Sequence, residues 1–327
     1  MSALVASVAL ATGVMSFAVL GPLLLRRSAP ALMRVPRIAV AIVSGGMVAW
    51  ALALVSLGPV VAWSAAGPAL LSGSAGEVCQ RCLASANPFG PTATAFSLPA
   101  AVPVALAAAT AVWIGAGLAV EVRDRRRNGR ATAAWLRAAT TPATVRGQRV
   151  LVVTDDVAYA WTMPSRHGGI VVSSGALSAL TDGELDAVLA HERAHLRQRH
   201  HALAALAAGL RRSLGWVPYM RSATEALPHY LEIAADAHAQ RAAGTPALAS
   251  ALLVLGAPAT IAGEPADRAH APVLHVAGPH RIGRLVGASS RGGEVSASTV
   301  AGVSLAYATL GIATLVPYAF ALATGCV

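Results

Sequence analysis

The stretch LAHERAHLRQRHH, from Leu189 to His201, concentrates four histidines and a glutamate in a chain that has only ten histidines in all. A helix start lies just upstream: Thr181 precedes Glu184 by the spacing of a capping box, and Leu185, Val188 and Leu189 then supply an apolar face. On such a helix His191 and His195 stand four residues apart, so both imidazoles leave one face, one turn apart. Glu192 sits beside them. Two imidazoles at this spacing make a pair of metal ligands, and a neighbouring glutamate can take a proton from an attacking water. The chemistry expected is hydrolysis assisted by one zinc ion per chain, with His191 and His195 as ligands and Glu192 as the catalytic base.

Catalytic zinc takes three protein ligands and keeps one position open. His201 is one source of the third, since it stands where the longer pattern H-E-x-x-H-x-x-G-x-x-H places a histidine. That pattern needs a glycine to turn the chain, and Gln198 occupies the position; a helix continuing through it would carry His200 and His201 away from the metal. The other source is LPHYLEIAADAHAQRAA, read as a helix with Pro228 in its first turn. There Glu232 and Asp236 share a face, and Ala235 permits close approach of another helix. Glu232 is the expected third ligand, with Asp236 accepting a hydrogen bond from a ligand imidazole and so fixing its tautomer. His229 is a fallback ligand or a donor to the transition state; His238 falls on another face.

The elements that must position these residues are those of a multi-pass membrane protein. Hydrophobic residues make up 55% of the chain and charged ones 12%, too apolar a balance for an ordinary soluble domain of this length. Four segments are long and uncharged enough to span: about 2–25, 38–63, 102–120 and 297–323. The net charge of +10 is carried by arginines gathered beside these spans, and no basic-aromatic module accompanies it, which argues against direct nucleic-acid binding. Arginines cluster between spans one and two and again from Arg123 to Arg130, so both regions are expected in the cytoplasm. The loop 64–97 and both termini are then external, and residues 121–296 form a cytoplasmic α+β domain at the cell membrane, before the fourth span in 297–327.

Within that domain 131–140 reads as a short helix, and 149–154, 158–162 and 169–174 read as strands of a small sheet. Substrate backbone is expected to add to an exposed edge, for which 158–162 and 169–174 are the candidates. The segment Ala202–Met220 is nearly long enough to span but carries Arg211 and Arg212, so it is expected in the core or at the membrane surface. Donors to the transition state are sought among His229, Tyr230, His280 and Arg281. In the external loop, Cys79 and Cys82 are spaced for a local disulfide.

Three stretches together, GIVVSSGALSALTDGELDAVLAHERAHLRQRHH, LEIAADAHA and HRIGRL at 280–285, resemble the BlaR/MecR family of membrane zinc metallopeptidases, with a more distant similarity to HtpX-type proteases. The resemblance implies a gluzincin-like, zincin-fold domain in which His191, His195 and Glu232 hold zinc, Glu192 is the base and Asp236 their partner. It also implies an endopeptidase that transduces a signal by cleaving itself and acting on a BlaI/MecI-type repressor. BlaR/MecR sensors carry an external penicillin-binding domain after their last span, which is not expected here since the sequence ends at Val327. Two other readings stay open: a quality-control protease of the HtpX kind, and a zinc-binding membrane receptor without catalysis. Partners on any reading are a protein substrate and the lipid bilayer, and a second copy of the chain is allowed.

Overall fold

The computed structural model describes residues 3–66, 101–256 and 302. Two long helices open the chain: α1 (Ala3–Arg34) and α2 (Pro36–Ala66) lie against each other across the bend at Val35. Trp50 on α2 donates its indole N–H to the Val14 carbonyl on α1 at 3.0 Å, satisfying a polar group amid apolar packing. The helix α3 (Ala101–Ala139) follows. Among the described residues, three helices are therefore long and apolar enough to cross a membrane, over Ser7–Arg34, Pro36–Ala62 and Val102–Ala139. Residues 64–66 of the expected external loop close α2, whereas 67–97 with Cys79 and Cys82, the expected fourth span apart from residue 302, and His280 and Arg281 lie outside the described residues.

The helix that carries the first expected span continues past Leu25, through Arg26 and Arg27 to Arg34. One expectation about α3 is corrected. A short helix separate from the third span, at 131–140, is not found; α3 runs unbroken through EVRDRRRNGR. At 1.5 Å per residue it is about 58 Å long, close to twice the hydrocarbon core. No proline interrupts it, and Glu121 and Arg125 pair one turn apart at 2.6 Å. It thus extends beyond the bilayer thickness and delivers the chain directly into the sheet.

The sheet has the order β1-β2-β4-β3, with β1 (Thr140–Val145), β2 (Gln148–Val153), β3 (Ala160–Thr162) and β4 (Ile170–Ser173). β1 and β2 form an antiparallel hairpin turned by Arg146 and Gly147, both at positive φ, which suits the twist of a tight hairpin. β4 runs parallel to β2 and antiparallel to β3. Of the two strands expected to offer an edge to substrate, β4 is therefore interior, paired on both sides. β3 is an outer strand. Met163 N–H donates to Gly169 O and Ser173 N–H to Tyr159 O, so the odd-numbered residues turn their backbone groups toward β4. By the alternation of a strand, the backbone groups of Ala160 and Thr162 point to the outer edge.

One face of the sheet packs on α5 (Asp182–Arg197), where Val150, Ile170 and Val172 meet Leu185, Val188 and Leu189. The other face is closed by the end of α3, through Leu136 against Val153, Trp161 and Val171. Between β4 and α5 sits the short α4 (Ser174–Ala179). α5 begins as expected: Thr181 N–H donates to the Glu184 carboxylate at 2.7 Å. Arg146 in the hairpin turn then grips its first turns, bidentate to Asp186 at 2.7 and 2.9 Å and with Asp182 at 3.2 Å.

The remaining helices are α6 (His200–Leu214), α7 (Pro218–Ala243) and α8 (Thr245–Gly256). α7 starts ten residues earlier than expected, with Pro218 rather than Pro228 in its first turn, and Pro228 lies inside it. A proline there removes a helical hydrogen bond; burial compensates, since Met220, Ala223, Leu227 and Leu231 are fully buried in one core with α1 and α2. Tyr219 stacks edge-on against Phe17 with ring centroids 4.6 Å apart, and its ring fills the space left by the missing side chain of Gly21. α6 is a core element of the same kind. It crosses α3 closely at Gly117 and Gly209, where any Cβ would collide with Ser213 or Leu118, and Trp113 and Ser213 exchange hydrogen bonds at 3.2 and 3.1 Å. The helices of the polar domain and the three apolar helices thus share a hydrophobic core.

Candidate metal centre

Helices α5 and α7 face each other across small residues, Ala187 and Ala190 against Ala239, so their backbones approach closely. That contact brings His191 and His195 to Glu232. The two Nε2 atoms are 3.1 Å apart, and each is 3.5 Å from a Glu232 carboxylate oxygen. All three residues are buried, at 6%, 1% and 3% exposure. A tetrahedral ion with bonds of about 2.0–2.1 Å holds neighbouring ligand atoms about 3.3–3.4 Å apart. The observed spacings match that figure to within a few tenths of an ångström, so the donor set and its geometry fit zinc, and the group can hold a metal ion.

Asp236, one turn beyond Glu232, lies 3.0 Å from His191 Nδ1. Its carboxylate forms an ion pair with that side of the ring, which leaves Nε2 facing the group. Burial by itself would depress the His191 imidazole. Hydrogen bonding to Asp236 and Glu232, with the charges of Glu192 and Glu232, outweighs it and pushes the imidazole up to about 10. In the metal-free protein a proton therefore stays on His191. Glu192, also buried, is close enough to contribute to that effect.

The chain after His195 does not behave as expected. α5 ends at Arg197, and Arg199 turns the chain in the left-handed conformation at φ 54° before α6 starts at His200. No glycine is used for this. The turn brings His200 back rather than away: its Nδ1 is 2.9 Å from His195 Nδ1, and it is fully buried. Burial, above all, lowers its imidazole to about 4, with His191 and His201 adding to the fall against an opposing pull from Glu232, so His200 is neutral. A neutral His200 can accept the His195 Nδ1–H, which leaves the His195 Nε2 lone pair free toward the metal position. His200 is thus the counterpart of Asp236 for the second imidazole. Sequence reasoning missed it because a non-glycine residue at positive φ leaves no signature in RQRHH. His201, the rival third ligand, is not in the group.

His229 is exposed on α7 and stands outside the group, whereas Tyr230 is buried. His238 is half-buried on another face, as its spacing indicates.

A buried two-histidine, one-glutamate group with a further glutamate on the same helix, set between a small sheet and packed helices, is the arrangement of a zinc-peptidase domain. Residues 123–256 match the family model described as peptidase family M48, which supports the M48 metallopeptidase family for this part of the chain. Peptidases of that family are typically zinc-dependent. No curated protein and no solved structure matches the chain.

Proposed function

We propose that this protein is a membrane-embedded zinc-dependent endopeptidase whose site lies at the cytoplasmic face of the cell membrane. The observation that carries the reading is the buried group of His191, His195 and Glu232, with Glu192 on the same helix. Zinc bound there would polarise the scissile carbonyl and acidify the attacking water. His191 and His195 would present Nε2 to the ion, held in that tautomer by Asp236 and His200. Glu232 brings a negative charge from the facing helix. Glu192 takes the proton from the water at its carboxylate and returns it to the leaving amine. β3 is the outer strand next to the helix that carries the base, but its residues are buried, so a substrate strand pairing with the outward groups of Ala160 and Thr162 would first have to displace what covers that edge. The arginines of α1, α2 and α3 support cytoplasmic placement of the domain, with a fourth span in 297–323 returning the chain outward.

The sequence resemblance makes a BlaI/MecI-type repressor the specific substrate proposed, and the protein a signal transducer. Purified full chain with bound zinc is expected to cut such a repressor at one position, to lose activity on chelation and to regain it with added zinc. Digestion of many unfolded membrane proteins would replace the transducer with a quality-control protease. Zinc binding without any cleavage would leave a receptor.

Metal uptake should also be tied to pH. His191 holds a proton up to about pH 10 in the metal-free protein, and a ligand imidazole must lose it. Calorimetry at pH 7.5 in buffers of different ionisation enthalpy is therefore expected to show about one proton released per zinc bound, with affinity rising as pH rises. Uptake with no proton release would contradict the raised basicity of His191.

A further inference from the structure

Behind the metal group, a cavity of about 570 Å³ opens between the first turns of α2, the end of α5, the start of α6 and the second half of α7. Its polar lining is of one chemical kind. Arg37 and Arg197 contribute guanidinium groups, and neither has an acidic partner among the described residues. His238 adds a half-buried imidazole made less basic first by burial and then by the charges of Arg37, Arg241, Arg197 and Arg193. Two further donors line it: Gln198 Nε2 and His200 Nε2 are buried and have no hydrogen-bond partner among the described residues. The Ser44 hydroxyl is committed to the Val40 carbonyl at 2.6 Å. Arg37 and Arg197 are exposed at the mouth of the cavity, whereas the two orphaned N–H groups lie inside it. Buried donors without acceptors are costly and rare, so this pair, with two guanidinium groups at the entrance, fits a ligand rich in acceptor oxygens. The remaining surface, from Val40 and Leu203, is apolar.

We propose that this cavity binds a phosphate-bearing anion. Its oxygens would accept from Arg37, Arg197, Gln198 Nε2 and His200 Nε2, guanidinium being the side chain that matches phosphate through paired N–H groups. The apolar wall accommodates a hydrocarbon portion, and the position at the start of a helix able to cross the membrane suits a phospholipid headgroup as well as a free phosphate compound. One consequence rests on the zinc reading above. An anion that accepts from His200 Nε2–H fixes the proton there, so His200 Nδ1 accepts from His195 and the His195 Nε2 lone pair is held toward the metal. Anion and zinc then favour each other's binding.

The test uses the full-length chain in neutral detergent, stripped of metal so that the outcome does not depend on zinc. It is titrated with dihexanoyl phosphatidylglycerol and separately with inorganic phosphate, and adducts per chain are counted by native mass spectrometry. One saturable site is expected. Arg37→Gln and Arg197→Gln should each weaken it about tenfold, as the loss of a charge-assisted hydrogen bond does. Arg126→Gln and Arg127→Gln, which remove the same charge from the exposed surface of α3, should leave it unchanged. Saturation by the lipid alone identifies a headgroup, and equal binding of phosphate identifies a free phosphate compound. The proposal is overturned if neither ligand saturates, or if Arg126→Gln weakens binding as much as Arg197→Gln. Gel filtration and melting curves confirm that each variant folds; if Arg37→Gln does not, Arg197→Gln together with His238→Gln carries the comparison.

Discussion

Glu192→Gln is expected to keep one zinc per chain and to lower kcat/KM for peptide cleavage by about 10³-fold, within the range attributed to a positioned general base. Glutamine has nearly the same shape, so the α5 side chain at a site only 2% exposed is replaced without a cavity. The three groups whose atoms approach within 3.1–3.5 Å of one another are untouched, and metal content should not fall. What is lost is the carboxylate that receives the proton. A second readout separates this from general damage: Glu192 is one of the charges that hold the His191 imidazole up, so the variant should release fewer protons on zinc uptake above neutral pH. Metal content by mass spectrometry, turnover of a defined substrate and calorimetry check the three parts. Turnover at the unsubstituted rate would remove Glu192 from the proton-transfer role.

How much of this was legible in the sequence follows the physics of each element. The helix spacing of His191, Glu192 and His195 and the capping box at Thr181 and Glu184 are local, and local rules predict them. Glu232 and Asp236 could be found because alanine dominates their helix, which makes two acids on one face conspicuous. Strands β2, β3 and β4 were found to within two residues from their β-branched and aromatic content. β1 was not, since the proline inside TTPATV masks its β-branched content; a proline is tolerated there because the strand lies at the sheet edge. Pro228 failed as a boundary marker for the opposite reason, because packing against α1 and α2 outweighs the hydrogen bond it removes. Arg199 shows the deeper limit. A left-handed arginine is decided by what the turn delivers, namely the fully buried contact between His200 and His195, and nothing in its own neighbours announces it.

The contribution of Glu232 is the sharper test of the site, because it is the ligand that α7 would add to the two imidazoles of α5. Glu232→Ala is expected to reduce bound zinc from one per chain to a small fraction after dialysis, and to abolish cleavage with it, since two imidazoles do not make a catalytic site. The variant should also change the metal-free protein in a direction fixed by sign. His191 is raised in the folded state to about 10 from an ordinary 6.5, so its contribution to stability is fully present below about pH 6.5 and is lost as pH rises through about 10. Glu232 supplies part of that rise through both a hydrogen bond and its charge. Removing it should lower the upper end of the window, so the metal-free variant loses stability at a lower pH than the metal-free parent, as melting curves between pH 6 and 10 would record. Asp236 still holds His191 Nδ1 at 3.0 Å, so some of the rise should survive. Zinc retained at full stoichiometry in Glu232→Ala would transfer the third ligand to His201 or His229 and undo the assignment of α7 as the metal-bearing partner of α5.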